Sequence, residues 1–181
     1  MYGMVNKAVE DMVCSMYGEA MWEKVKERAG VDVDVFISNE SYPDDMTYKL
    51  VGAASELSGI ASAQILEAFG EHWVLKTARE SYGELLNAGG KSLPEFLINL
   101  RDFHARVSMV FPKLQPPRFK VSDITEHSLH LHYFTQREGL VPFVIGLVKG
   151  LGKMFQTPVK SIRLVGSRDQ GADHDLFLIE W

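Results

Sequence analysis

The hydrophobic periodicity of this chain changes at about Pro112, and that change limits the fold more than any other feature. Upstream, apolar residues recur at helical steps. Downstream they alternate, as on strands with one buried face. Helices first and strands afterwards make an α+β fold rather than a βαβ repeat. The upstream part reads as follows. Val5, Val9, Met12, Val13 and Met16 stripe a helix from about Met4 to Tyr17. A second helix spans Glu19 to Ala29 and stops at Gly30. VDVDVFIS is extended or irregular. Pro43 and Asp44 announce a helix from Met46 to Leu57, and Ser62 caps one that reaches Arg79. Gly89 and Gly90 break the chain, and Ser92 with Pro94 starts a long helix over Leu93–Phe111. Beyond Pro112, RFKVSDITEHSLHLHYF reads as a hairpin, Val141–Phe155 as a helix, and Val159–Val165 and Asp175–Glu180 as strands around the polar turn SRDQGADH. The expected architecture is a helical N-terminal part and a small C-terminal antiparallel sheet with an interrupting helix.

Length and composition narrow the class. The 181 residues suit a single domain over 1–181. The net charge of -5 argues against a nucleic-acid partner. Cys14 is the only cysteine, so no internal disulfide and no cysteine-built zinc or iron–sulfur cluster is available. Lys7, Glu10 and Asp11 interrupt the N-terminal apolar residues, which excludes a signal peptide there, and no apolar run is long enough to cross a membrane. A cytoplasmic location is expected. No Gly-rich phosphate loop and no kinase or cyclase motif occurs, so no enzyme activity is expected.

Two segments carry candidate chemistry. On the long helix, Leu97, Leu100, His104, Val107 and Phe111 share one face. A buried imidazole needs a partner. A core histidine bonded to a carbonyl and a metal or haem ligand both satisfy that need. In SLHLHYFTQR, Leu129, Leu131, Tyr133, Thr135 and Arg137 point to one side, and His130, His132, Phe134 and Gln136 to the other. The leucines mark the first side as inward. A guanidinium with two hydroxyls there suits an anionic carboxylate; on an edge strand, Arg137 would instead reach solvent. His130 and His132, with Asp173, His174 and Asp175 further on, give a metallo-enzyme alternative, although the alternation sets the histidine pair opposite the leucines.

Tyr133-x-Thr135-x-Arg137 resembles the Tyr-x-Ser-x-Arg signature of H-NOX domains, the haem-nitric oxide/oxygen binding family that includes the haem domain of soluble guanylate cyclase. Threonine replaces serine and keeps the hydroxyl. MYGMVNKAVEDM, AFGEHW, the helix with His104, Pro116–Pro117, GLVPFVIGLVKGLGKMFQ and GADHDLFLIEW resemble the family in the same order. The likeness is greatest to stand-alone bacterial members and covers essentially the whole chain. It implies haem b buried between the helices and the sheet. By resemblance, His104 is the proximal iron ligand, and Tyr133, Thr135 and Arg137 hold the propionates. Pro117 packs on the haem and helps distort it. Trp73 and Phe143 line the distal pocket with Val5, Val9 and Leu147, and Gly70 lies beside it. The implied function is a gas sensor that binds NO and CO at a five-coordinate ferrous haem. It would signal by histidine release and haem and helix movement to a separate partner, such as a histidine kinase or a cyclic-di-nucleotide enzyme. Phe143 stands where oxygen-binding relatives carry tyrosine. An oxygen-binding member, with Trp73 as donor, and a haem-free small-molecule or protein-binding domain are the alternatives. Relatives that bind zinc use cysteines absent here, so no zinc site is expected.

Overall fold

Eight α-helices and four strands, traced over residues 1–181 in a computed structural model, divide into a helical half and a sheet half. Helix α1 (Gly3–Tyr17) buries Ala8, Val9, Met12 and Val13. Helix α2 (Glu19–Ala29) buries Trp22 and Val25 and ends at Gly30, whose left-handed backbone (φ 63°) suits a residue without a side chain. Helix α3 (Asp44–Ser58) starts earlier than its apolar pattern suggests: Pro43 precedes it, and Asp44 and Asp45 complement the dipole of its first turn. Helix α4 (Ser62–His72) has Ala61, not Ser62, at its N-cap.

Two helix boundaries depart from the periodicity. The α4 chain does not stop near Arg79. It continues through a π-helical turn (Trp73–Ala78) into α5 (Arg79–Asn87), with Tyr82 outside helical geometry. The expected long helix over Leu93–Phe111 is two helices, α6 (Leu93–Ile98) and α7 (Leu100–Val110). Ser92 caps α6 by accepting from the Glu95 amide. Asn99 separates the pair, and its side-chain amide donates to the Gly89 carbonyl at 3.1 Å. That bond competes with continued helix and bends the chain.

Strands β1 (Arg118–Ser122), β2 (Ser128–Phe134), β3 (Ser161–Gly166) and β4 (Asp175–Glu180) form one antiparallel sheet in the order β1-β2-β4-β3, and α8 (Val141–Met154) intervenes between β2 and β3. Phe119 pairs with Tyr133, Leu131 with Phe177 and Leu129 with Ile179, all on the buried face. Strand β2 ends at Phe134, so Thr135 and Arg137 lie just beyond it. One core joins this face to α6 and α8; another, around Val9, Val25, Phe36 and Leu50, fills the helical half. Trp73 packs against both.

The two halves are joined where α8 crosses α4 at backbone contact. A Cβ on Gly146 would sit 2.0 Å from the Glu67 carbonyl oxygen, and one on Gly70 would sit 2.2 Å from that of Phe143. Glycine is required at both positions by close approach. Gly146→Ala is therefore expected to lower stability by about 1–3 kcal/mol, because two backbones must move apart. Gly52→Ala in α3, where an added Cβ meets nothing, is expected to raise it by roughly 0.5–1 kcal/mol through helix propensity. Thermal or denaturant unfolding of the two variants checks both signs.

Candidate functional site

His104 lies on α7, with its ring turned in toward β1. Its Nδ1 is buried without a hydrogen-bond partner. Burial pushes its pKa down to about 4, so the ring is neutral at physiological pH, the form that binds a metal. The imidazole stacks on Phe119 (centroids 5.5 Å apart, interplanar angle 20°), and Phe119 stacks on Tyr133 at 5.1 Å. Three rings from α7, β1 and β2 thus form one column. His104, Pro117 and Phe119 also line a common open cavity with Pro116 and Arg101. The fold brings together His104, Pro117 and Tyr133. Phe119 was not foreseen as part of the site; the alternation of β1 across Arg118–Val121 already marked it as inward-facing.

Arg137 is anchored rather than free. Its Nε donates to Asp44 Oδ2 at 2.6 Å and its Nη1 to the Gln115 carbonyl at 3.0 Å. Its own amide donates to Thr135 Oγ1 at 3.0 Å, a local turn that fixes both residues. Asp44 also accepts from the Met1 amino group at 2.5 Å. Burial works against its charge, but these cationic donors outweigh burial and hold the Asp44 carboxyl below its usual range. Two of the five guanidinium donors are thereby used, which leaves others for a further anion. Asp44 had signalled only a helix start, because a contact across 93 residues leaves no local trace.

The distal candidates gather on the helical side. Phe143 of α8 stacks on Phe69 of α4 at 5.2 Å, and Trp73 meets Phe69 edge-on at 6.2 Å. Val5, Trp73 and Phe143 pack as a rim around the helical core that contains Val9, while Leu147 packs on the sheet-side core. The indole N–H of Trp73 appears in none of the hydrogen bonds. His72, its neighbour, shares one feature with His104: a buried Nε2 without a partner. Burial and Lys76 lower its pKa. It does not join the ring column or the cavity that contains His104. His130 and His132 lie on the outward face of the sheet, as the alternation requires, and no three metal-ligating side chains converge there or elsewhere.

A neutral imidazole beside an open cavity, and a guanidinium with unused donors just beyond β2, are groups able to bind a metal and an anion. Comparison with known proteins gives the family. The Haem-NO-binding family matches residues 2–162, and the chain belongs to it. Members of this H-NOX family are haem-binding sensor domains. The chain is 27% identical to soluble guanylate cyclase gcy-31 of Caenorhabditis elegans over 175 residues, 96% of this chain and 25% of that protein. It is 32% identical to gcy-34 of the same organism over 85% of this chain and 23% of the relative. It thus spans about a quarter of these cyclases. The fold matches that of an H-NOX protein from S. oneidensis in its Fe(II)NO ligation state, with TM-score 0.90, 20% identity, and 99% and 98% of the two chains covered. It also matches the unliganded Fe(II) H-NOX protein from K. algicida, with TM-score 0.86, 23% identity, and 99% and 96% covered. No helix is long and apolar enough to cross a membrane.

Proposed function

We propose that this domain senses nitric oxide, holding the iron of haem b through His104 and signalling to a separate protein. The observation that carries the reading is His104 itself: a neutral imidazole with a buried, unpartnered nitrogen, on a helix that buries a single residue. Leu100 is the only buried residue of α7, and Met109 and Val110 at its far end are exposed. An element with few buried contacts moves at small free-energy cost. Arg137, Thr135 and Tyr133 would hold the propionates, with Arg137 supplying charge-assisted hydrogen bonds. Pro117 would press on the porphyrin face beside His104. Trp73, Phe143, Val5, Val9 and Leu147 would exclude water from the opposite face.

Haem held by His104 would supply a ferrous iron able to bind NO. Loss of the His104 bond on NO binding would free α7 to shift against β1, a two-state element biased by the ligand. The partner reads that shift; a histidine kinase or a cyclic-di-nucleotide enzyme is the expected kind. Phe143 presents no hydrogen-bond donor, so the pocket favours NO and CO over oxygen, which needs a donor to its partial negative charge. One observation supports an oxygen-binding alternative: the indole N–H of Trp73 has no protein acceptor, and a bond from it would add about 0.5–1.5 kcal/mol.

The purified protein is expected to be red, with a strong Soret band, to bind NO tightly and CO measurably, and to give no lasting oxygen spectrum when the ferrous form meets air. A colourless protein that takes up no haem on reconstitution would overturn the assignment. A persistent oxygen spectrum would overturn only the ligand preference, in favour of Trp73.

A further inference from the structure

The outward face of the sheet carries a second polar site, built from histidines that haem binding leaves unused. His132 on β2 and His174, just before β4, face each other, with His132 Nδ1 2.7 Å from His174 Nε2. The remaining nitrogen of each ring is held as well. His132 Nε2 lies 2.8 Å from Ser122 Oγ, and His174 Nδ1 pairs with the Asp173 carboxylate. Ser122 Oγ is 2.9 Å from Asp123 Oδ2, which also meets His130 Nδ1 at 2.7 Å. Phe134 stacks on the His174 ring at 4.3 Å.

These contacts limit the number of protons the pair can hold. Asp173 only accepts, so His174 Nδ1 carries a hydrogen. When Ser122 donates to Asp123 it accepts from His132, so His132 Nε2 carries one too. Between the rings, one shared proton completes the chain, and the pair bears a single positive charge between Asp173 and Asp123. The neutral pair also keeps contact if Ser122 turns its hydroxyl to His132. A second added proton has no such solution: both facing nitrogens would then carry hydrogen, and the rings must part.

The pair closes a loop. Ser167–His174 folds over the end of β2, where the Arg168 amide donates to Asp175 Oδ1 at 2.9 Å and Arg168 Nη1 to the Arg137 carbonyl at 3.1 Å. The same loop therefore grips the backbone of Arg137. We propose that His132 and His174 form a proton-operated clamp that positions this loop, and through Arg168 the Arg137 segment, and that opens when both rings are fully protonated. The link to ligand binding rests on the function proposed for Arg137; the clamp itself does not.

The surrounding charges set the direction. Lys120 on β1 pairs with His132 across the strands, and Arg118 lies over the Phe134 ring. With His130, they oppose a second proton; Asp123 and Asp173 favour it. Burial pushes the His132 pKa down, and His174, Lys120 and His130 add to the effect against Asp123. A histidine depressed in the fold takes up its proton more readily once released, so the clamp is stable above the ordinary histidine range of about 6.5 and is lost as pH falls below it.

Amide hydrogen exchange on the intact protein with its native cofactor, read by NMR with the imidazole nitrogens, tests this. Protection of the Arg168 and Ala172 amides, corrected for intrinsic exchange, is expected to fall about tenfold between about pH 7 and pH 5, in step with titration of the pair. His174→Gln should show the low protection at both pH values, and His132→Gln likewise. His127→Gln, at an exposed histidine, should behave as the parent. Unchanged protection across the range, or His174→Gln that keeps the parent's pH dependence, would falsify the clamp. Loop exchange is read without reference to haem, so a colourless protein whose loop still opens with acid rejects the haem assignment and keeps the clamp. A red protein whose loop does not respond does the reverse.

Discussion

His104→Gly is expected to abolish the five-coordinate ferrous spectrum, and added imidazole to restore it. The substitution removes the one imidazole of the His104–Phe119–Tyr133 column and leaves a space of its own shape beside Phe119 and Pro117. Free imidazole fits there as a ligand not attached to α7. Spectrum and signal should then separate. With imidazole the spectrum returns, yet α7 stays untethered, so hydrogen exchange along Leu97–Phe111 should resemble that of the NO-bound parent protein. In the parent, NO should change that exchange more than CO, which leaves the histidine in place. A mutant whose unliganded ferrous spectrum matches the parent without imidazole would sink the assignment and direct attention to His72, whose Nε2 is also buried and unpartnered. Equal exchange with NO and CO would exclude release of His104 as the switch.

Arg137→Ala is expected to lower haem retention by roughly 10- to 150-fold, the equivalent of about 1.5–3 kcal/mol for a charge-assisted contact. The change also breaks the bonds to Asp44 and the Gln115 carbonyl, so a structural loss must be told apart from a lost propionate partner. Asp44→Asn does so: it removes the ion pair and keeps the guanidinium. If Arg137 acts on the cofactor, Asp44→Asn retains haem far better than Arg137→Ala. Tyr133→Phe keeps the stacked ring and loses only a hydroxyl, so its effect should be smaller. Lys120→Ala on the outer face of β1 should have none. Equal haem occupancy in all four variants would refute the role.

Strand β2 shows what was legible. Its alternation placed Leu129, Leu131 and Tyr133 inside and His130 and His132 outside, and the structure agrees residue by residue, because a strand has only two faces and one of them is buried. The same alternation was carried too far along the chain: β2 ends at Phe134, and Thr135 and Arg137 are oriented by their own turn and by Asp44. His104 was legible as a polar group on an apolar helix face. The division of that helix at Asn99 was not, since it depends on the Gly89 carbonyl. Nor was the π-helical turn at Trp73, where the chain passes between the two cores.

The sequence by itself determined the order of helices and strands, the buried face of each, and the residue types offered to a cofactor: one imidazole, one guanidinium, two hydroxyls and an apolar set around Phe143. Each follows from periodicity and side-chain chemistry, which act within a few residues. Only the tertiary structure decided the partners: Asp44 for Arg137, Phe119 for His104, His174 for His132, and the α4 backbone for Gly146. Local pattern states that a surface will be covered; which surface covers it is settled by the packing of segments far apart in the chain, where shape and charge must fit at once.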